Sequence, residues 1–465
     1  MSAAGALAVA VTLAGCGSTS YFAGRNLPPS GLVNRVMIAI QNPSPLSKGG
    51  LEIVDAFYDT RFAYNNVNKV FSVGGFSGAL PISIQNMPEE QAGAVYGSGD
   101  GSLSLVNYGK ESSTPNNSGL NGPSSGIFIT RDQAYIFAAS QQEHVLTIVD
   151  KVVGSSYGLN LPGVYRVSVN PGGTVAMAFV QNSNYAYYPR KLTGAETLTY
   201  SGGPSNWPMN AEDCEPQNAP AWCLFQAADA SGTPLTFDRP IKAIFSADGG
   251  TAFVLNCGQE CGGSQSSVTL LPTGPMIFRV SQASGTLPSQ SSLTNIPIPG
   301  GASNALVAST TMYVVGQQKQ PDNLFTGYLT VVNLQSNTAS APIGISDGEP
   351  GAPSRMTLAD DNTLWIAMTK CNNGERYAKG QPYGCLTMYN TSTNTVTLLE
   401  PYQGDATGVA DVEGLHKVYV VEGGQVYIFS TKDGTAMDNQ YVTVTGTASD
   451  VAYIDAHSDS NNTVY

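Results

Sequence analysis

The chain has 465 residues, with 34 acidic and 21 basic side chains and a formal net charge of -13, a balance that argues against nucleic acid and anionic lipid headgroups as partners. Only 12% of its residues are charged, whereas glycines number 51 and tyrosines 23, the profile of an exported β-protein with many turns. With 3 histidines, His144, His416 and His457, it leaves little material for an HExxH metal motif or a Ser-His-Asp triad.

At the N-terminus, Ala3 to Gly15 form an apolar run shorter than the roughly 20 residues a membrane-crossing helix needs, and read as the core of an export signal. The run ends in Leu13-Ala14-Gly15-Cys16. That ending resembles the lipobox of bacterial lipoproteins, which implies a signal peptide over residues 1–16 and lipidation of Cys16 as the mature N-terminus. Export signals open with Lys or Arg, and the first basic residue here is Arg25, so the expected true start lies upstream. A plain secretory signal with an incidental cysteine is the alternative. Residues 17–30, with the Pro28-Pro29 pair, read as a flexible tether between the acyl anchor and a folded domain over residues 31–465. The expected location is extracytoplasmic, at the outer membrane or cell surface.

Downstream, one pattern recurs. VSVNPGGTVAMAFVQN from Val167, AIFSADGGTAFVLN from Ala243 and MTLADDNTLWIAMT from Met356 each alternate, turn tightly through Asp, Asn or Gly, and alternate again, as a β-hairpin does. Looser copies start near Ile82, Ile127, Ala305 and Val409. A third strand follows most copies, starting at Ser102, Val145, Ser267, Tyr328, Cys385 and Gln425. Self-similarity of this length predicts an all-β propeller of four-stranded antiparallel blades. NPGGT at Asn170, ADGGT at Ala247 and TIVD at Thr147 resemble the YVTN-type bacterial propeller repeats, and that resemblance implies fold far more than activity. Val36 to Asn42 and Leu51 to Phe57 match second and third strands without a first, while Asp450 to Ala456 matches a first strand with little after it. Joining them in one blade closes the ring and removes two sheet edges. The count is eight blades, or seven if one weak copy is not a repeat.

Six cysteines remain beside Cys16 and fall into close pairs: Cys214 with Cys223, Cys257 with Cys261, and Cys371 with Cys385. Disulfides that staple loops are the reading for an exported chain. Zinc would call for CxxC spacing beside histidine, and no metal or cofactor is expected.

The loops between second and third strands are expected to be long: Asn42 to Gly50, Asn182 to Lys191, Cys257 to Ser266, Gln317 to Gly327 and Lys370 to Gly384. With the inter-blade insertion 201–238 they elaborate one rim, where binding is expected. Candidate ligand contacts there are Tyr185, Tyr187, Tyr188, Arg190, Trp207, Trp222, Tyr377 and Tyr383, whose aromatic rings suit a sugar or peptide; packing of the loops onto the body is the alternative. Arg166 and Arg355 share a register near the start of first strands, with Lys242 one residue off it. These cations either gather at the channel mouth for an anion or pair with carboxylates such as Asp238. GSGDGS from Gly97 reads as a hairpin turn, and DAHSDSNN from Asp455 as a solvated turn.

Two function classes stay open. One is a non-catalytic binding or scaffold protein engaging a polymer, envelope component or protein partner through the elaborated rim. The other is a lactonase-like or lyase enzyme working at the channel mouth with Arg166 and Arg355.

Overall fold

A computed structural model describes residues 27–41, 49–61, 81–87, 90–97, 101–116, 120, 123–192, 211–215, 221–346, 351–369, 386–399, 405–444 and 446–458. Cys16, Trp207, Tyr377, Tyr383 and the Cys371 and Cys385 pair lie outside them.

Eight antiparallel sheets of four or five strands form the blades of an eight-bladed propeller. Inner strands Pro81–Asn86, Gly126–Ile129, Val164–Val169, Pro240–Phe245, Asn304–Ala308, Ala352–Ala359 and Ala406–Val412 open blades 2 to 8 in chain order. Blade 1 takes its inner strand, Thr447–Asp455, from the C-terminus and its second strand, Asn34–Gln41, from the N-terminus. Asn34 faces Asp455 and Gln41 faces Thr447, which is the predicted closure.

Local chemistry explains the hairpins. In blade 4 the Asn170 Oδ1 accepts the Thr174 and Val175 N–H groups at 2.8 and 2.9 Å, and Gly173 takes φ 61°. The turn is therefore fixed by an amide side chain and a glycine that tolerates the left-handed region. Second strands such as Tyr135–Ser140 and Lys417–Glu422 are buried along their whole length, because each is covered by a neighbouring blade on both faces. This is why they read as continuous apolar runs.

Buried ion pairs clamp the closing blade on both sides. Arg35, on its second strand, donates to Glu111 Oε1 at 3.1 Å and to the Tyr108 carbonyl at 2.7 Å, both in blade 2. Glu111 also accepts the Ser30 N–H at 2.7 Å, so the last residues assigned to the tether are docked. On the other side, Lys417 of blade 8 donates to Asp59 at 2.7 Å and to the Ala56 carbonyl at 2.8 Å.

Three sequence expectations change. Asn182 to Lys191 is not a loop: Ala186–Leu192 is the third strand of blade 4, entered through a tight turn. The insertion is not wholly inter-blade either. Its segment Ala221–Gln226 pairs with Ala186–Leu192 as the fourth strand, and Ala211–Glu215 adds a fifth. Finally, most of Gln317 to Gly327 continues the hairpin of blade 6, with Gln317 opposite Gly327 and Lys319 opposite Phe325. In each case strand pairing overrides a local run of polar residues.

Candidate functional site

Inner strands enter the channel through a repeated irregularity. In blades 1, 2, 4, 5, 7 and 8 the pairing with the second strand slips just before Asp450, Ser83, Arg166, Lys242, Arg355 and Gly408. Blades 3 and 6 show the same arrangement: Ser125 and Ser303 bond the carbonyls of Ala139 and Val315, the residues faced by Gly126 and Asn304. A bulge of this kind re-aims the next side chain. One position per blade is thereby set around the channel, and its occupants decide the channel's charge.

The sequence placed Lys242 one residue off the arginine register, and the structure corrects this. Ser246 bonds the Thr251 carbonyl just as Asn170 bonds that of Val175, so Thr251 matches Val175 rather than Thr174. Lys242 therefore occupies the same position as Arg166 and Arg355.

All three cations line a cavity of about 270 Å³ together with Ser83, Ser125 and Asn304. A second cavity, of about 610 Å³, continues along the channel past Ile244, Leu306 and Met356 to Asp411 and shares Lys242, Asn304 and Arg355 with the first. Lys242 donates to Asn304 Oδ1 at 3.0 Å. Although solvent reaches part of its side chain, the amine is closely enclosed. Burial, reinforced by the charges of Arg166 and Arg355, lowers its pKa to about 7.

Among the described residues, Arg355 alone of the three cations forms an ion pair with a carboxylate. Arg355 pairs with Asp450 at 2.9 Å across Gly408, where a Cβ would come within 2.9 Å of Asp450 Oδ1. Asp450 is 3% exposed, and its Oδ2 also accepts the Ile84 N–H at 2.8 Å; burial pushes its pKa up against the pull of Arg355. Asp238 instead accepts the backbone N–H groups of Ser264 and Gln265 and meets none of the three cations. Arg166 is exposed, lies over the Tyr165 ring and makes no ion pair among the described residues.

The braced loop of blade 5 comes within electrostatic reach of Arg166. Cys257 and Cys261 form a disulfide, and Glu260 between them accepts the Gln317 N–H and side-chain amide of blade 6, both at 3.1 Å. Burial raises the Glu260 pKa, and the charge of Arg166 opposes that rise.

Among the described residues, the aromatic candidates do not form one surface. Trp222 is 1% exposed, donates to Asp150 at 3.3 Å and packs edge-on against Tyr135 and Phe137 between blades 3 and 4. Tyr188 stacks on Phe225 at 5.7 Å, and the Arg190 guanidinium lies 5.3 Å from the same ring. Tyr187 is half-buried, which leaves Tyr185, 36% exposed, as the open member of the group. Cys214 and Cys223 are bonded across the two outermost strands of blade 4. Among the described residues, no cluster of three or more His, Cys, Asp or Glu side chains could hold a metal, and no helix is long and apolar enough to cross a membrane.

No protein-family model and no curated protein matches the sequence. Solved propellers do resemble the structure. Apo AztD from Citrobacter koseri aligns with a TM-score of 0.52 at 11% identity, covering 91% of this chain and 98% of that one. The dihydro-heme d1 dehydrogenase NirN in complex with DHE aligns with a TM-score of 0.51 at 11% identity, covering 92% and 78%. The periplasmic gluconolactonase PpgL of Pseudomonas aeruginosa aligns with a TM-score of 0.49 at 12% identity, covering 91% and 99%. At such identities the likeness shows fold alone.

Proposed function

We propose that this chain is an exported, lipid-anchored propeller that captures an anionic ligand at its channel mouth without transforming it. One observation carries the reading: Arg166, Lys242 and Arg355, from three separate blades, line one cavity, and among the described residues one carboxylate, Asp450, pairs with them, in a protein of net charge -13. Like charges held together in a channel raise each other's energy, and an anion relieves it. The disulfide-braced loop of blade 5 is tied to blade 6 near Arg166 through Glu260, and a stiffened surround of this kind favours capture.

The test is calorimetric titration with citrate, glycerol 3-phosphate and short oligogalacturonates. At least one is expected to bind, and Lys242→Met or Arg166→Ala should weaken it by roughly tenfold or more, the worth of a charge-assisted hydrogen bond. Because the anion favours the protonated amine, affinity should also fall as pH rises through about 7. Absence of binding by all three probes, or indifference to both substitutions, overturns the reading.

A second reading rests on the same lysine. An amine titrating near 7 is poised as a general base or acid for a lyase or lactonase. Turnover of uronic-acid polymers or lactones that vanishes in Lys242→Met while binding persists would establish it.

Export and acylation at Cys16 are supported by the Leu13-Ala14-Gly15-Cys16 ending and by two disulfides in the folded body. Intact mass of the protein recovered from membranes should show a chain starting at Cys16 with added acyl mass. A mature chain without acyl mass on Cys16 would sink the anchor.

A further inference from the structure

A second site lies away from the channel, on the flank of blade 5. Its cavity, of about 530 Å³, opens where the braced loop at Ser264 and Gln265, the end of the insertion at Thr236 to Asp238, and the segment Gln290 to Asn295 meet. That last segment belongs to an excursion between the third and fourth strands of blade 5. It runs past blade 4, where Phe278 packs on Trp222, and returns to join Thr236, whose N–H donates to Gln290 Oε1 at 2.7 Å and whose carbonyl accepts from Gln290 Nε2 at 3.0 Å.

The lining is amide and hydroxyl. Asn256 forms the back wall, is 1% exposed, and has a fixed side chain: its Nδ2 donates to Ser267 Oγ at 3.0 Å and to Thr269 Oγ1 at 2.7 Å. Thr269 passes its own proton to Asn295 Oδ1 at 2.9 Å. Nδ2 is thereby saturated, and Asn256 Oδ1 is left buried without a partner among the described residues. An acceptor held this way beside the Ser267 hydroxyl offers one donor and one acceptor, the pair a ligand hydroxyl matches. A buried oxygen without a partner gives up its hydration for nothing, so a site that leaves one open has a reason to be filled.

Charge narrows the ligand class. Among the described residues, no Lys or Arg lines the cavity, and the one carboxylate there, Asp238, is already engaged by the Ser264 and Gln265 N–H groups. Phe237 and Leu293 add apolar wall. The loop is also rigid: it is tied by the Cys257–Cys261 disulfide, and a Cβ on Gly258 would come within 2.3 Å of the Ser266 nitrogen. We propose that this cavity binds a neutral, hydroxyl-rich ligand of the saccharide class, with Asn256, Ser267, Gln265 and Asn295 as its hydrogen-bonding set. The proposal is independent of the anion reading, since the two cavities share no lining residue.

The test uses the folded full-length protein with glucose, galactose, mannose and N-acetylglucosamine and their β-linked dimers, followed by calorimetry and ligand-observed NMR. At least one should bind, and Gln265→Ala and Asn295→Ala, both at exposed positions, should each weaken it roughly five- to tenfold. Asn256→Ala should abolish binding, and the two surface variants keep the test decisive if that change impairs folding. Lys242→Met should leave saccharide binding unaltered, which separates this site from the channel. No binding by any probe, binding indifferent to Gln265→Ala and Asn295→Ala, or a cavity holding only ordered water when crystals are soaked in the sugars would overturn it.

Discussion

At the scale of single residues, Lys242 is the most informative side chain. Unfolded, its amine titrates near the ordinary 10.5; folded, it titrates near 7, chiefly because burial disfavours the ammonium. Between those values the unfolded chain binds more protons, so this lysine makes stability rise with pH across the window, and its penalty is full below about 7. Lys242→Met should therefore stabilise the protein near pH 6.5 by up to a few kcal/mol, one pKa unit being worth about 1.4 kcal/mol, and the gain should shrink toward pH 10. Urea denaturation at both pH values checks this; a variant no more stable at the lower pH would show that the amine is not strained. Gly408 has a complementary role, since its missing side chain is what lets Asp450 reach Arg355.

At the scale of elements, the slip near the start of the inner strands matters more than any strand. It repeats around the ring and turns one side chain per blade to a common position, which converts a sheet irregularity into a site-building device. Serines at the slip stitch blades together: Ser354 Oγ donates to the Ala406 carbonyl at 2.8 Å and Ser125 Oγ to the Tyr165 carbonyl at 2.7 Å. The disulfide elements divide in purpose. Cys214–Cys223 joins facing residues of two outer strands, whereas Cys257–Cys261 shapes the loop that borders the cavity on the flank of blade 5.

For the whole molecule, closure is the central structural event. Blade 1 draws on residues from both ends of the chain, and buried pairs to blade 2 and blade 8 hold it in place. Arg35→Ala should cost about 3–5 kcal/mol, because Glu111 would stay buried without its partner. The double change Arg35→Met with Glu111→Leu should recover much of that loss. Equilibrium denaturation reads both, and a cost of Arg35→Ala near zero would mean that the pair does not secure the ring.

The sequence by itself determined the hairpin module and the closure by both termini, and it favoured eight blades over seven, the count the structure shows. Alternation, turn residues such as Asn170 and Gly173, and continuous apolar second strands are local properties, and each leaves a readable period. It also singled out Arg166, Lys242 and Arg355, though with Lys242 misregistered, because Thr251 of the blade 5 turn stands where blade 4 has Val175 rather than Thr174. Only the tertiary structure decided what these residues do. Ala186–Leu192 became a strand through a partner more than thirty residues away, Trp222 became core by facing Asp150 and Tyr135, and the saccharide-type cavity arose where three distant segments meet. Pairing and burial between remote segments carry no sequence period, so such contacts are written in space alone.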